Sequence, residues 1–272
     1  MRKTSPAISF LTICLVCLVF ASSCGRQNAD VIVAGSTSVQ PYAEILAEEY
    51  ERLYPGNAVD VQGGGSAAGI TAVQSGAADI GMSSRALKDG EKSLWSVEIA
   101  KDGLAIVVNP QNPVTDLTLE QIRKIYSAEI TDWSEAGGTR AKIHIITREE
   151  GSGTRSAFED LVMAGGRISA GAIVQDSNGT VRQLVSSDKN SIGFISLGLV
   201  DGTVKAVSLG GVEASAANIE NGAYGLSRPF LFVCLGEPEG RARQFIDFVL
   251  SGEGQRVLTH EGLIPRAEGA VK

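Results

Sequence analysis

The chain has 272 residues, with 24 Lys and Arg against 31 Asp and Glu and a formal net charge of −7. That balance lacks the basic field that non-specific nucleic-acid binding needs, so nucleic acid is excluded as a partner. Hydrophobic residues at 43%, aromatics at only 6% and 32 glycines suit a turn-rich α/β chain, long enough for one large or two medium domains.

Residues 1–23 read as an export signal. Arg2 and Lys3 form its positive start, and Ala7 to Ala21 is an apolar stretch too short to span a bilayer. The ending Ala21-Ser22-Ser23-Cys24 resembles the lipobox of bacterial lipoproteins, with Ala21 where that motif usually has Leu. Lipidation at Cys24 and anchoring to a membrane follow as an expectation, with a soluble periplasmic form as the alternative. Cys14 and Cys17 lie in the signal. Cys234 sits in the apolar run Phe230 to Leu235, as a small buried hydrophobe would, so the fold is expected to stand without a disulfide.

After a tether at residues 24–30, strands and helices alternate. Val31 to Ala34 reads as a strand, Gly35-Ser36-Thr37-Ser38 as a turn, and Pro41 to Leu53 as a helix with Tyr42, Ile45, Leu46 and Tyr50 on one face. Val59 to Gln62 is a strand leading through Gly63-Gly64-Gly65-Ser66 into a helix over Ala67 to Gln74. Asp79 to Met82 is short and apolar and ends in Ser83-Ser84-Arg85; Leu104 to Val108 is a buried-type strand. The break Asn109-Pro110-Gln111-Asn112-Pro113 marks the crossing into a second lobe. Beyond it, Thr118 and Gln121 form a capping box for a helix with Leu119, Ile122, Ile125 and Tyr126 on its apolar face. A strand over Lys142 to Thr147 then leads through Arg148-Glu149-Glu150-Gly151-Ser152-Gly153-Thr154-Arg155 into a helix over Ser156 to Met163. A helix near Thr180 to Val185, a strand over Ser191 to Ile195, a strand over Phe230 to Leu235 and a helix over Ala242 to Leu250 complete the chain. This alternation predicts a mainly parallel sheet in each lobe, flanked by helices. Lobe 1 is expected over residues 31–109 plus 223–272, and lobe 2 over residues 110–222.

Three turns share one design: strand, glycine with hydroxyls, helix. They are Gly35 to Ser38, Gly65-Ser66 and Gly151 to Thr154. Turns of this kind lie at the carboxyl ends of strands, where open α/β sheets bind ligands. Hydroxyls and helix-start amides supply donors, and Arg148 adds a fixed cation, which suits a small tetrahedral oxyanion.

These residues resemble the phosphate-binding proteins of bacterial ABC importers, within the type II periplasmic-binding-protein fold. Val33 to Pro41, Gly63 to Gly69 and Ala78 to Arg85 look like that family's first three phosphate loops, and Arg148 to Thr154 matches its Arg-x-(Asp/Glu)-Gly-Ser-Gly-Thr loop. The resemblance implies two lobes with the ligand in the cleft between them. It implies phosphate contacts from Ser36, Thr37, Ser38, Ser66, Ser84, Arg148, Ser152, Gly153 and Thr154, with Glu150 as the acidic partner of Arg148. Arg85 is expected in a supporting role, as a surface or inter-lobe ion pair. Partners implied are inorganic phosphate and membrane permease subunits, with the protein acting as a monomer and needing no cofactor or metal. Some members carry an aspartate at the position of Ser84, where it accepts the proton of HPO₄²⁻ and repels sulfate; a hydroxyl does not repel sulfate by charge. Asn178 either reaches the cleft or serves an Asn-Gly turn. Asp132 and Trp133 read as lobe packing.

Other functions fit less well. A P-loop needs Lys before Ser or Thr after its last glycine, and Gly153-Thr154-Arg155 lacks it. A serine hydrolase needs Gly-x-Ser-x-Gly, and Gly64-Gly65-Ser66-Ala67-Ala68 fails at the last position. A binding protein rather than an enzyme is expected, with a sulfate-like oxyanion, a sensor or a surface adhesin as the alternatives.

Overall fold

The computed structural model describes residues 29–266, so the export signal, Cys24 and most of the tether lie outside the described residues. In chain order the first lobe holds β1 (Val31–Gly35), α1 (Gln40–Leu53), β2 (Val59–Gly63), α2 (Ser66–Gln74) and β3 (Ile80–Ser83). The 14-residue strand β4 (Trp95–Val108) then runs into the second lobe. There follow β5 (Asp116–Leu117), α3 (Leu119–Tyr126), β6 (His144–Arg148), α4 (Gly153–Phe158), β7 (Ile173–Gln175), α5 (Asn178–Ser187), β8 (Ser191–Ser196), β9 (Lys205–Ala206), β10 (Ser208–Leu209) and α6 (Ala216–Glu220). The chain returns through β11 (Ser227–Cys234) and ends with α7 (Gly240–Leu250), α8 (Gly252–His260) and β12 (Ile264–Pro265).

One continuous strand order, β2-β1-β3-β11-β4-β8-β6-β7, passes through both lobes. The outer neighbours β1–β2, β1–β3, β6–β7 and β6–β8 are parallel, as the strand–helix alternation predicts. The inner neighbours are antiparallel because β4 and β11 cross between lobes in opposite directions. Along β4, residues 95–103 pair with β11 and residues 104–108 pair with β8. The change of partner at Gly103–Leu104 falls ahead of the two-proline break expected to carry the crossing. That break belongs to the second lobe instead: Asn109 Nδ2 donates to the carbonyls of Val185 and Ser186, and Asn112 Nδ2 donates to Lys189 O. The return passage also comes later than residue 223, because Tyr224 and Leu226 pack in the second lobe's core.

Two cores hold the two lobes. In the first, Tyr42, Leu46 and Tyr50 of α1 meet Val33, Met82, Ile99, Phe232 and Phe245. In the second, Ile122, Ile125 and Tyr126 of α3 meet Leu104, Ile106, Phe158 and Phe194, with the Phe158 and Phe194 rings stacked at 4.2 Å. Each fully buried large apolar side chain contributes about 1.5–3 kcal/mol, so each lobe carries its own stabilising centre. The capping box forms as expected: Thr118 Oγ1 accepts from Gln121 N, and Gln121 Oε1 accepts from Thr118 N at 2.9 Å. Trp133 packs in the lobe and donates from Nε1 to Asn190 O. Cys234 is buried and free, its thiol pushed up to about 12 by burial. Among the described residues, no helix is long and apolar enough to cross a membrane.

Helix α2 lies against β1 at backbone distance, which only glycine permits. A methyl on Gly69 would stand 2.5 Å from Ala34 O and 2.7 Å from Gly35 Cα. Replacing Gly69 with Ala should therefore force the helix off the sheet and lower stability by about 1–3 kcal/mol. Denaturant unfolding would read this as a fall in midpoint at an unchanged slope.

Candidate anion-binding site

The polar side chains singled out in the sequence converge where the lobes face each other, and nearly all are buried. From the first lobe come Ser36 and Ser38 after β1, Ser66 at the start of α2, and Ser84 after β3. From the second come Arg148 at the end of β6, and Ser152 and Thr154 around the start of α4. The lobes are closed on one another. Ala67 N donates to Gly151 O across the cleft at 3.1 Å, Ser38 Oγ and Thr154 Oγ1 are 2.7 Å apart, and Arg148 Nη2 donates to Thr37 Oγ1 at 3.2 Å.

Local structure explains these positions. Helix α4 begins at Gly153, three residues earlier than the apolar pattern suggests, because Ser152 caps it by accepting from Arg155 N. This brings the amides of Gly153 and Thr154 into the first turn, where helical N–H groups lack intrahelical partners. Gly153 is where the lobes meet most closely: a Cβ there would stand 2.2 Å from Ser66 Oγ and 2.6 Å from Ser84 Oγ. On the first lobe, Ser36 Oγ donates to Ser84 Oγ at 2.9 Å, and Ser84 N donates to Ser66 Oγ at 3.1 Å. Three turns far apart in sequence thus form one hydroxyl surface.

Arg148 is 1% exposed. Its Nε and Nη2 donate to Glu149 at 3.0 and 2.9 Å, and Nη2 also donates to Asp176 O at 2.9 Å. Its Nη1 is buried without a hydrogen-bond partner. The acidic partner is thus Glu149 and not Glu150, the residue implied by the resemblance. The reason is the turn: Ser152 N donates to Glu149 O, so Glu150 sits at the bend. There it lines a separate surface hollow with Arg155 and Glu159. Arg155 supports the same turn: its Nη1 donates to Arg148 O at 3.1 Å while Nε donates to Glu159. Arg85 stays within its own lobe. It is paired through both terminal nitrogens to Glu91 at 2.7 and 2.8 Å, and so braces the loop after Ser84 without facing the cleft.

Four further residues join the cluster. Asn178, at the start of α5, donates from Nδ2 to Ser38 Oγ at 2.8 Å and accepts from Ser196 N, so it does reach the cleft. Asp102, Ser196 and Arg228 were not expected here. Asp102 on β4 stands directly opposite Arg228 on β11 at the crossing between lobes. Arg228 donates from Nε and Nη2 to Asp102 Oδ2 at 3.1 and 2.9 Å, and Ser196 Oγ donates to Oδ1 at 2.8 Å. Burial pushes the Asp102 carboxyl upward and the Arg228 guanidinium downward, and their mutual attraction opposes both shifts. Removing one partner of so buried a pair costs about 3–5 kcal/mol. Arg228 could have been suspected as a charge at the edge of an apolar strand, but nothing local links it to Asp102. Among the described residues, no cluster of His, Cys, Asp and Glu is arranged to hold a metal ion.

The family model described as a PBP superfamily domain matches residues 21–253. The chain is 31% identical over 246 residues to the phosphate-binding protein PstS of Bacillus subtilis, covering 88% of this chain and 82% of that protein. The chain belongs to the PstS phosphate-binding protein family. Among solved structures it is similar to a putative phosphate ABC transporter substrate-binding protein with bound phosphate from Clostridium perfringens. That likeness has 43% identity and a TM-score of 0.85, covering 87% of this chain and 99% of the other. An ABC-type phosphate transport receptor from Vibrio cholerae is 40% identical with a TM-score of 0.73, covering 87% of this chain and all of that one. By their names these relatives are binding proteins, not enzymes.

The exchange of Glu150 for Glu149 as the clamp on Arg148 can be tested directly. Glu149→Gln should weaken anion binding about tenfold, one charge-assisted contact on a partly exposed carboxylate. Glu150→Gln should leave binding within about twofold by the same reasoning. Titration calorimetry of the two variants with phosphate separates the assignments.

Proposed function

We propose that this protein captures inorganic phosphate outside the cytoplasm and presents it to the permease subunits of an ABC importer. The observation that carries the reading is Arg148: a guanidinium 1% exposed, with Nη1 unpartnered, among hydroxyls drawn from both lobes. A buried charged donor left unpaired is costly, and a tetrahedral oxyanion supplies the acceptor oxygens. Charge-assisted hydrogen bonds contribute about 1.5–3 kcal/mol each, and micromolar affinity needs about −8 kcal/mol, so a handful suffices. The ligand would accept from Arg148, from the hydroxyls of Thr37, Ser38, Ser66 and Thr154, and from the amides of Gly153 and Thr154. Ser36 and Ser84 would hold the floor of the site, and Ser152 would cap the helix that offers those amides. The names of the relatives support phosphate as the ligand and transport as the purpose. The protein would act as a monomer, tethered to a membrane through lipid on Cys24 or free in the periplasm.

A second reading, a sulfate-like oxyanion, is favoured by one feature. Ser84 is a hydroxyl, and Asp102 and Glu149, the carboxylates that hold Arg228 and Arg148, are already occupied by those guanidinium groups. None of these three groups would repel sulfate as a free carboxylate does, so discrimination between the two dianions should be weak.

Calorimetric titration of the mature protein with phosphate, sulfate and arsenate decides between these readings. Arg148→Ala should lower phosphate affinity by about a hundredfold or more, with an unchanged far-UV spectrum; an unaltered titration would sink the assignment. Ser84→Asp should weaken sulfate binding more than phosphate binding, and equal losses would count against the role given to that hydroxyl.

A further inference from the structure

Arg228 is not explained as the counter-ion of Asp102 alone. A guanidinium that serves only to neutralise a carboxylate does so best as a fork on both oxygens. Here Nε and Nη2 both donate to the single oxygen Oδ2, at 3.1 and 2.9 Å, while Oδ1 is taken by Ser196. Nη2 also donates to Ser38 Oγ at 3.2 Å, and Nη1 is buried with no partner. The arrangement repeats that of Arg148. There too the Nε–Nη2 edge is held by a carboxylate, Nη2 reaches a hydroxyl of the Gly35 to Ser38 turn, and Nη1 is left over. The two hydroxyls met, on Thr37 and Ser38, belong to consecutive residues. Two buried guanidinium groups therefore approach one turn in the same pose, one from lobe 2 and one from the strand that joins the lobes.

We propose that Arg228 is a second ligand-contacting guanidinium, holding the anion together with Arg148 through their Nη1 groups and selecting for a doubly charged oxyanion. This rests on the phosphate reading and adds to it a residue and a charge rule. Each cation is already balanced by its own carboxylate, so the extra donors are directional and the site gains a place for two negative oxygens. Because Asp102 and Arg228 sit opposite each other at the crossing, the contact lies at the base of the cleft.

The test uses the mature protein with inorganic phosphate as probe. Asp102→Asn combined with Arg228→Gln removes both charges, so no buried charge is left alone. This double variant should keep the fold and bind phosphate about 10- to 100-fold more weakly. Affinity within about threefold of wild type would make Arg228 a counter-ion only and overturn the proposal. Arg228→Lys keeps the charge and the pairing with Asp102 but loses the fork. It should show about tenfold weaker binding at a wild-type melting temperature, and undiminished affinity there would overturn the proposal as well. Wild-type affinity should fall as acid converts HPO₄²⁻ to H₂PO₄⁻, and the double variant should show a shallower fall. Parallel slopes would overturn the charge rule. If wild type ignores phosphate but binds sulfate, the phosphate reading fails, and the same variants titrated with sulfate still decide the role of Arg228.

Discussion

Burying a guanidinium without enough acceptors is the constraint on which the rest of this structure turns. Arg148 and Arg228 both lie in the closed cleft, and each is restrained along one edge by a carboxylate. The clamps remove most of the side-chain freedom that an anion would otherwise have to freeze out, so the donors are preorganised before a ligand arrives. Their other hydrogen-bond partners are neutral: the hydroxyls of Thr37 and Ser38 and the carbonyls of Gln175 and Asp176. Such a surface tolerates water when the lobes part and tolerates burial when they meet, because each hydroxyl can swap a protein partner for a solvent one.

The hydroxyl network also explains why the turns belong together. Ser38 alone meets Thr154, Asn178 and Arg228, one from each of three separate segments. A contact of that kind couples the start of α4, the start of α5 and the crossing strand β11 to a single turn of the first lobe. The glycine at 153 makes the coupling possible, since any side chain there would meet Ser66 and Ser84 first.

What could be read in the sequence was what is local. The Gly-Ser-Thr-Ser, Gly-Gly-Gly-Ser and Gly-Ser-Gly-Thr turns announce themselves because glycine and hydroxyl residues must be consecutive to present amides and oxygens together. The capping box at Thr118 and the apolar faces of α1 and α3 follow from spacing for the same reason. Asp102 and Arg228 are 126 residues apart in sequence, and only the antiparallel register of β4 and β11 makes them neighbours. The length of β4 was hidden too. Its first half, Trp95 to Lys101, lies outside the strand expected over Leu104 to Val108, because only that later run has the continuous apolar composition of a buried strand. The prolines at 110 and 113 drew the boundary to themselves, although the lobe change had already occurred at Gly103. Glu149 and Glu150 differ only by which side of a turn they fall on, and chain order alone cannot express that.

The passage between lobes is therefore a ladder of paired strands, not a flexible linker. β4 and β11 stay hydrogen-bonded from Trp95 opposite Cys234 to Gly103 opposite Ser227, with one irregularity at Phe230–Leu231. From Leu231 to Val233 the pair is embedded in the first lobe's sheet, where β11 also pairs with β3. Both strands therefore leave that lobe already in register. Residues that face each other at the crossing, Asp102 and Arg228 among them, owe their alignment to backbone pairing that starts several residues away.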